Sequence, residues 1–383
     1  MRFGRGLRAG CVLPLLLLLV SYHGFGQIRY FRKATVSGKP GRLMPFLADD
    51  QDSIATDTIF QVLSQDGYPL RYYRKIRTSV CFDNKCRLLK CTLYWNITGR
   101  YLGLELPRGE FLSKAKHKPF KKAEYERLDF LLADPLLPLA SLSYSELAPR
   151  PKIRDNKDDV DAVSSATAKN VLDYVVPGAA YTTYKMWHVV YGPTQEEIQD
   201  LTKKSLSADL ILRILESDDP ADKIWALNHI RGFVILTPRL REKLIGFIGN
   251  SGYNLAERAL NSFDAKELES DTVQMALGDK LAQNSYAIKK LIIAKFRDAP
   301  QLSEPAIVNL AQVLKSANPE LISNVLDVFF AHKISDTATC QTIALLLNDQ
   351  NSFVARKAYR YLTQTAVTNE VIREQIKAFE MKM

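Results

Sequence analysis

Asn284-Ser-Tyr-Ala-Ile-Lys-Lys-Leu-Ile-Ile-Ala-Lys-Phe296 opens on a polar break and continues as an apolar-rich run. Within it Ile292 and Phe296 stand four residues apart, which places them on one face of a helix. Both positions recur along the chain every 33 residues. Ile230, Phe263, Phe296, Phe329 and Leu362 form one series; Ala226, Ala259, Ile292, Val325 and Ala358 form another. Two more series keep the same spacing: Ile211, Leu244, Leu277, Leu310, Ile343 and Ile376, and Leu215, Ile248, Leu281, Leu314 and Leu347. Each repeat therefore reads as two apolar-faced helices. The breaks Ser217-Asp-Asp-Pro220, Asn284-Ser285, Asn318-Pro319 and Asn351-Ser352 separate them. A helix pair of this length cannot bury its stripe alone, so stacking into a superhelix is the expected solution.

This region, residues 194–383, resembles HEAT-like repeats, although the usual signature residues are only loosely present. What precedes it has a different periodicity. Arg71 to Val80 and Arg87 to Asn96 read as strands about a Phe82-Asp-Asn-Lys85 turn. In the second, Leu89, Cys91, Leu93 and Trp95 alternate with Leu88, Lys90, Thr92 and Tyr94. Arg100 to Pro107 reads as a further short strand. Glu124 to Ala133 reads as a helix, stopped by the Pro135 to Pro138 stretch. Ala166 to Val176 is helix-compatible behind a Ser164 or Ser165 cap, until Pro177-Gly178 breaks it. Ala180 to Tyr191, rich in aromatic and β-branched residues, reads as a strand. The expected fold is an α+β N-terminal domain over 67–192, then an all-α HEAT-like solenoid over 194–383 with a 33-residue period. Residues 27–66 carry mixed signals and read as a lead-in.

The first 26 residues read as a signal peptide. Arg2, Arg5 and Arg8 precede an apolar run from Val12 to Val20, and Gly24-Phe-Gly26 offers a small-residue cleavage site before Gln27. The run is about half the ~20 residues that a spanning helix needs. Export to the periplasm or the extracellular space is the expectation. Removing this segment takes away three arginines and no acid, lowering the net charge from +10 to +7. No long Lys/Arg block or aromatic-interleaved basic stripe occurs, which argues against a nucleic-acid partner. The basic balance suits solubility, or peripheral attraction to an anionic membrane surface.

Four cysteines follow the leader: Cys81, Cys86, Cys91 and Cys340. Cys81 and Cys86 flank a short Asp-Asn turn that could close a disulfide in an oxidising compartment; ordinary thiols are the alternative. The spacing is not that of a zinc site, and no Cys-x-x-Cys-His is present. Nor is there a Ser-His-Asp elbow, a phosphate-binding Gly loop or a His-Glu-x-x-His. Asn96-Ile-Thr98 satisfies the glycosylation sequon.

One stretch points to specific chemistry. Asp161-Ala-Val-Ser-Ser-Ala-Thr167 sets an acid six residues ahead of a hydroxyl crowded only by small neighbours, at the start of the helix-compatible segment. A helix start presents free N–H groups and partial positive charge, which suits a phosphate. The stretch resembles the flavinylation motif of the FMN-binding domain family, Asp-x-x-Ser/Thr-Gly-Ala-Ser/Thr. Asp161, Ser164, Ala166 and Thr167 match, and Ser165 stands where the family has glycine. A weaker echo is Asn96-Ile-Thr-Gly99, which is similar to the family's Thr-Pro-Gly turn without the proline.

That resemblance implies a covalent phosphoester of FMN on Thr167, attached by a separate flavin transferase, with Asp161, Ser164, Ser165 and Ala166 around it. It further implies extracytoplasmic electron transfer, with the flavin doing the redox chemistry and the solenoid docking a redox or protein partner. Trp95, Trp187, Tyr181 and Tyr184 are candidates to stack on the ring, with core packing as the alternative. His117 lies in the basic run Ser113 to Lys118; His188 and His229 lack ligand-spaced partners and read as structural. The competing reading is a binding or scaffold protein, whose FMN-binding-like domain carries no cofactor and whose solenoid does the work.

Overall fold

The computed structural model describes residues 27–48, 58–80, 87–114, 117–147, 169–315, 318–365 and 367–382. An antiparallel six-stranded sheet comes first, and fifteen α-helices follow it in the described chain. The architecture is thus α+β, then all-α.

The strands are β1 (Arg29–Phe31), β2 (Pro40–Leu47), β3 (Thr58–Ser64), β4 (Pro69–Thr78), β5 (Leu89–Trp95) and β6 (Tyr101–Glu105). Their order across the sheet is β1-β6-β5-β4-β3-β2, with every neighbouring pair antiparallel. The expected strands at 71–80, 87–96 and 100–107 are β4, β5 and β6. The lead-in is more than that: β1, β2 and β3 all fall within 27–66 and supply half of the sheet. Its sequence is hard to read because β2 is an edge strand carrying Pro40 and Pro45, with a register shift between Pro40 and Leu43.

Strand alternation decides which face is covered. Leu89, Cys91, Leu93 and Trp95 of β5 are buried, together with Tyr72 and Ile76 of β4 and Leu104 of β6. Helices α1 (Lys122–Leu132) and α3 (Ala180–Val190) close this inner face. From α1 come Tyr125, Leu128, Leu131 and Leu132; from α3 come Met186, Trp187 and Val190. The Trp95 indole N–H donates to Val190 O at 2.9 Å, tying the central strand to the end of α3. A four-residue helix, α2 (Tyr144–Leu147), packs against α3.

Two expectations need correction. Ala180 to Tyr191 is a helix and not a strand. Its aromatic and β-branched content suggests a strand, but Thr183, Met186, Trp187 and Val190 are buried at the i, i+3, i+4, i+7 spacing of a helix. Burial against the sheet overrides the intrinsic preference. The segment read as a helix over 166–176 is described only from 169, where Lys169–Tyr174 forms a six-residue 3-10 turn. Arg127 holds its end: Nε donates to Val175 O at 2.9 Å and a terminal N–H to Asp173 O at 2.9 Å.

The helical region runs from α4 (Pro193–Lys203) and α5 (Ala208–Leu215) through α6 (Pro220–Asn228), α7 (Pro238–Asn250) and α8 (Tyr253–Asn261) to α9 (Asp271–Gln283) and α10 (Tyr286–Phe296). It continues as α11 (Glu304–Leu314), α12 (Pro319–Ala331), α13 (Thr337–Leu345), α14 (Ser352–Gln364) and α15 (Glu370–Glu380). The polar breaks are caps. Asp219 accepts from Ala221 N, Asn318 from Glu320 N and Leu321 N, and Asn351 from Phe353 N. Each satisfies N–H groups that the helix itself cannot, a contribution of about 1 kcal/mol per cap. Helix α7 packs on α9, α9 on α11, and α11 on α13; α8 packs on α10, α10 on α12, and α12 on α14. Buried Phe263, Phe296 and Phe329 lie between these layers, and one apolar cluster extends from Val36 near the sheet to Ile372 in α15.

Candidate functional site

The motif Asp161, Ser164, Ser165, Ala166 and Thr167 lies outside the described residues, as do Cys81 and Cys86. The four aromatic residues expected as stacking candidates are described, and each packs in or against the core. Trp95 is buried with its N–H on Val190 O; Trp187 is buried with its N–H on Asp134 O at 2.9 Å. The Tyr184 hydroxyl donates to Leu142 O, and its ring lies against His188 at 4.1 Å between centroids. Tyr181 is half-buried and packs against the core.

The remaining sequence candidates are structural. His188 burial lowers its pKa, and its Nε2 lies 3.1 Å from Leu139 O. His229 Nδ1 is 2.7 Å from Trp225 O with the ring stacked on that indole. His117 is exposed, at positive φ, inside a hairpin closed by the Ser113–Pro119 bridge. Asn96 of the sequon is 0% exposed, and its Oδ1 accepts from Thr35 N at 2.9 Å, so the folded chain offers no glycan acceptor there. Cys91 and Cys340 are buried free thiols. Among the described residues no group of three or more His, Cys, Asp or Glu could hold a metal ion, and no helix is long and apolar enough to cross a membrane.

The most elaborate polar constellation lies where the sheet meets the helices, and its centre is Asp222. This carboxylate, in the first turn of α6, is 0% exposed. Oδ1 accepts from Thr98 Oγ1 at 2.7 Å and Arg100 Nε at 3.2 Å. Oδ2 accepts from Arg100 NH2 at 2.7 Å, Ser217 Oγ at 2.8 Å and Thr35 Oγ1 at 2.9 Å. Two separate parts of the sheet region thus converge on one helix. Thr35 comes from the β1–β2 connection, and Thr98 and Arg100 both come from the β5–β6 turn.

Burial pushes the Asp222 pKa upward, but hydrogen bonds from Arg100, Thr98 and Ser217 and the Arg100 charge outweigh it, holding the carboxyl below its ordinary range. Burial likewise opposes the Arg100 charge, and Asp222 with Asp219 more than offsets that. Five donors on one anion satisfy both oxygens, the condition under which a buried charge is tolerated. Gly99, at φ +83°, shapes the turn that presents Thr98 and Arg100. Helix α4 clamps the same turn: Gln195 donates to Gly99 O at 2.8 Å and Thr202 Oγ1 to Ile97 O at 2.6 Å. Deeper in, Arg74 of β4 donates to Thr194 Oγ1 at 2.7 Å, and the Tyr72 hydroxyl meets Thr202 Oγ1 at 3.0 Å.

Sequence reasoning passed over Asp222. The available signal was an acid four residues before Ala226, on the stripe that the repeat marks as buried. Arrangement and burial make this constellation a clasp between two regions. Open grooves occur elsewhere. One of about 470 Å³ lies between α5 and α7, rimmed by Glu216, Arg239, Glu242 and Lys243. Comparison with protein-family models, curated proteins and solved structures finds no match to this chain.

Proposed function

We propose that this chain is a binding protein: a HEAT-like solenoid with a 33-residue period, held in fixed orientation on the six-stranded sheet and used as a docking surface for a protein partner. The observation that carries the reading is the phasing of the helices. Helices α6, α8, α10, α12 and α14 begin at Pro220, Tyr253, Tyr286, Pro319 and Ser352, each 33 residues after the last. Helices α7, α9, α11, α13 and α15 begin at Pro238, Asp271, Glu304, Thr337 and Glu370 with the same step. Packing of each helix on its counterpart one repeat later supports stacking into a superhelix. Such arrays offer long surfaces, and on α9 to α15 Met275, Val308, Leu345 and Val371 are exposed apolar side chains.

The test is crosslinking of the full chain in its native compartment, followed by mapping of the crosslinked residues. The expected partner contacts fall on α9 to α15 and are lost in Val308→Asp/Leu345→Asp with the fold intact. Contacts elsewhere, or capture indifferent to that variant, would refute the reading. A covalent FMN on Thr167 remains a second proposal, supported by the Asp161 to Thr167 motif alone. Co-expression with a flavin transferase and acid precipitation decides it. Yellow colour retained by the denatured chain and absent from Thr167→Ala supports it; a colourless chain beside a labelled control substrate removes it.

A further inference from the structure

The face of the sheet opposite α1 and α3 carries a continuous row of side chains that neither the clasp nor the helix array uses. Strand register aligns it: Phe31 of β1 pairs with Gly103 of β6, Gly103 with Tyr94 of β5, Tyr94 with Tyr73 of β4, and Tyr73 with Phe60 of β3. Phe60 in turn pairs with Pro45 of β2. The rings touch along the row, Phe60 to Tyr73 at 4.9 Å between centroids, Tyr73 to Tyr94 at 5.6 Å and Tyr94 to Phe31 at 4.6 Å. Gly103 is the gap that lets Phe31 reach Tyr94.

Beside the row, on the same strand faces by alternation, stand Arg29, Arg71, Arg77 and Lys90. Among the described residues the acids near them are Glu105 and Glu110. Glu105 accepts the Tyr94 hydroxyl at 2.8 Å and lies 3.8 Å from Arg29; Glu110 pairs with Arg87 and Lys90. At the edges the face turns apolar, with Phe31 39%, Leu43 47% and Leu47 78% exposed. The combination excludes a second copy packing face to face, because that would bring two cationic surfaces together.

We propose that this outer sheet face is a peripheral membrane-binding surface that recognises anionic phospholipid headgroups. It rests on none of the flavin chemistry, and it deepens the binding reading by assigning the sheet to the membrane and the helix array to the protein partner. Arginine and lysine gain from an anionic leaflet within a Debye length, and exposed leucine and phenylalanine gain by entering the headgroup and acyl boundary. Tyrosine suits that boundary because a ring with a polar tip tolerates both phases, and phenylalanine adds apolar area beside it. A soluble acidic polysaccharide would meet the same cations, but it gives no site for Leu43 and Leu47.

The experiment is sedimentation of the full chain, without residues 1–26, with large vesicles of phosphatidylcholine alone or with phosphatidylglycerol. Binding to the anionic vesicles only, weakening with added salt, is the expected result. The Arg77→Glu variant, on an exposed position of β4, should lower the partition coefficient at least about tenfold. Leu47→Ser, which removes apolar area and adds no charge, should also lower it without changing the salt dependence. A thermal melt of each variant checks that the fold is kept. No sedimentation of the unmutated chain, equal binding to both vesicles, or binding untouched by the charge reversal would each overturn the proposal. So would capture by immobilised polygalacturonate with none by anionic vesicles.

Discussion

Replacing Asp222 by alanine removes the anion on which the β1–β2 connection, the β5–β6 turn and α6 converge. Removing one member of a buried ion pair costs about 3–5 kcal/mol, because the partner charge is left uncompensated. Here the lower end applies. The Arg100 side chain keeps 22% exposure, and Asp219 remains 3.1 Å from its Nε as a substitute partner. Thr98, Thr35 and Ser217 lose acceptors, but a hydroxyl can rotate toward water that enters the vacated space. We expect a loss of about 3 kcal/mol, and about 2 kcal/mol for Asp222→Asn, which keeps the shape without the charge. Urea unfolding followed by far-ultraviolet circular dichroism and by tryptophan fluorescence reads the effect. In a Trp225→Phe background, which removes the tryptophan of α6, Trp95 and Trp187 report on the sheet core, while the dichroism is dominated by the helices. A clasp predicts that the two probes, coincident in the unmutated chain, separate in the variant. A change under about 1 kcal/mol with coincident transitions would refute the assignment of Asp222 as the coupling residue.

The same carboxylate gives a pH signature. Its folded pKa lies below the ordinary value, so its contribution to stability is full above the unfolded pKa of about 3.9 and is lost as pH falls through the folded one. Asp222→Ala should therefore lose less stability than the unmutated chain between about pH 4 and pH 2, measured by thermal melts. Gly103→Ala should detach β1 from β6, because its Cβ would stand 2.1 Å from Tyr30 O; a drop of at least about 2 kcal/mol in urea is expected. Phe296→Ala leaves a cavity between stacked helices at a fully buried position, and should cost about 3–5 kcal/mol by the same assay. Burial pushes the Cys91 thiol up to about 12, so maleimide labelling of this residue at pH 8 should follow unfolding and not exposure time.

Much of the helical region was legible because a repeat writes the same constraint several times. Ile230, Phe263, Phe296, Phe329 and Leu362 are buried alike, and the polar breaks between them include the capping residues Asp219, Asn318 and Asn351. Strands β4 and β5 were legible for a related reason, since one face is covered and alternation survives. The misses have physical causes. In α3 the composition of Ala180 to Val190 favours extended chain, and only burial against the sheet makes its helical spacing decisive. In β2 and β3 the pattern is blurred by prolines at an edge and by register shifts. The clasp was illegible because its members come from positions 35, 98, 100, 217 and 222, which no local pattern links. The outer-face row was equally hidden: five strands must pair in one register before Phe31, Tyr94, Tyr73 and Phe60 become neighbours.

Edge strand β2 has a bearing on how such a face survives in solution. A sheet whose last strand carries Leu43 and Leu47 toward water is a template on which further strands could grow. Pro40 and Pro45 have no N–H to offer an incoming strand, and the shift in register between Pro40 and Leu43 breaks the straight line that polymerisation requires. At the opposite edge β1 is three residues long and offers little to extend. The protein can therefore keep an aromatic, apolar-edged surface open to water while remaining closed to fibril growth. Replacing Pro45 with valine would trade that protection for a continuous ladder and a new tendency to aggregate.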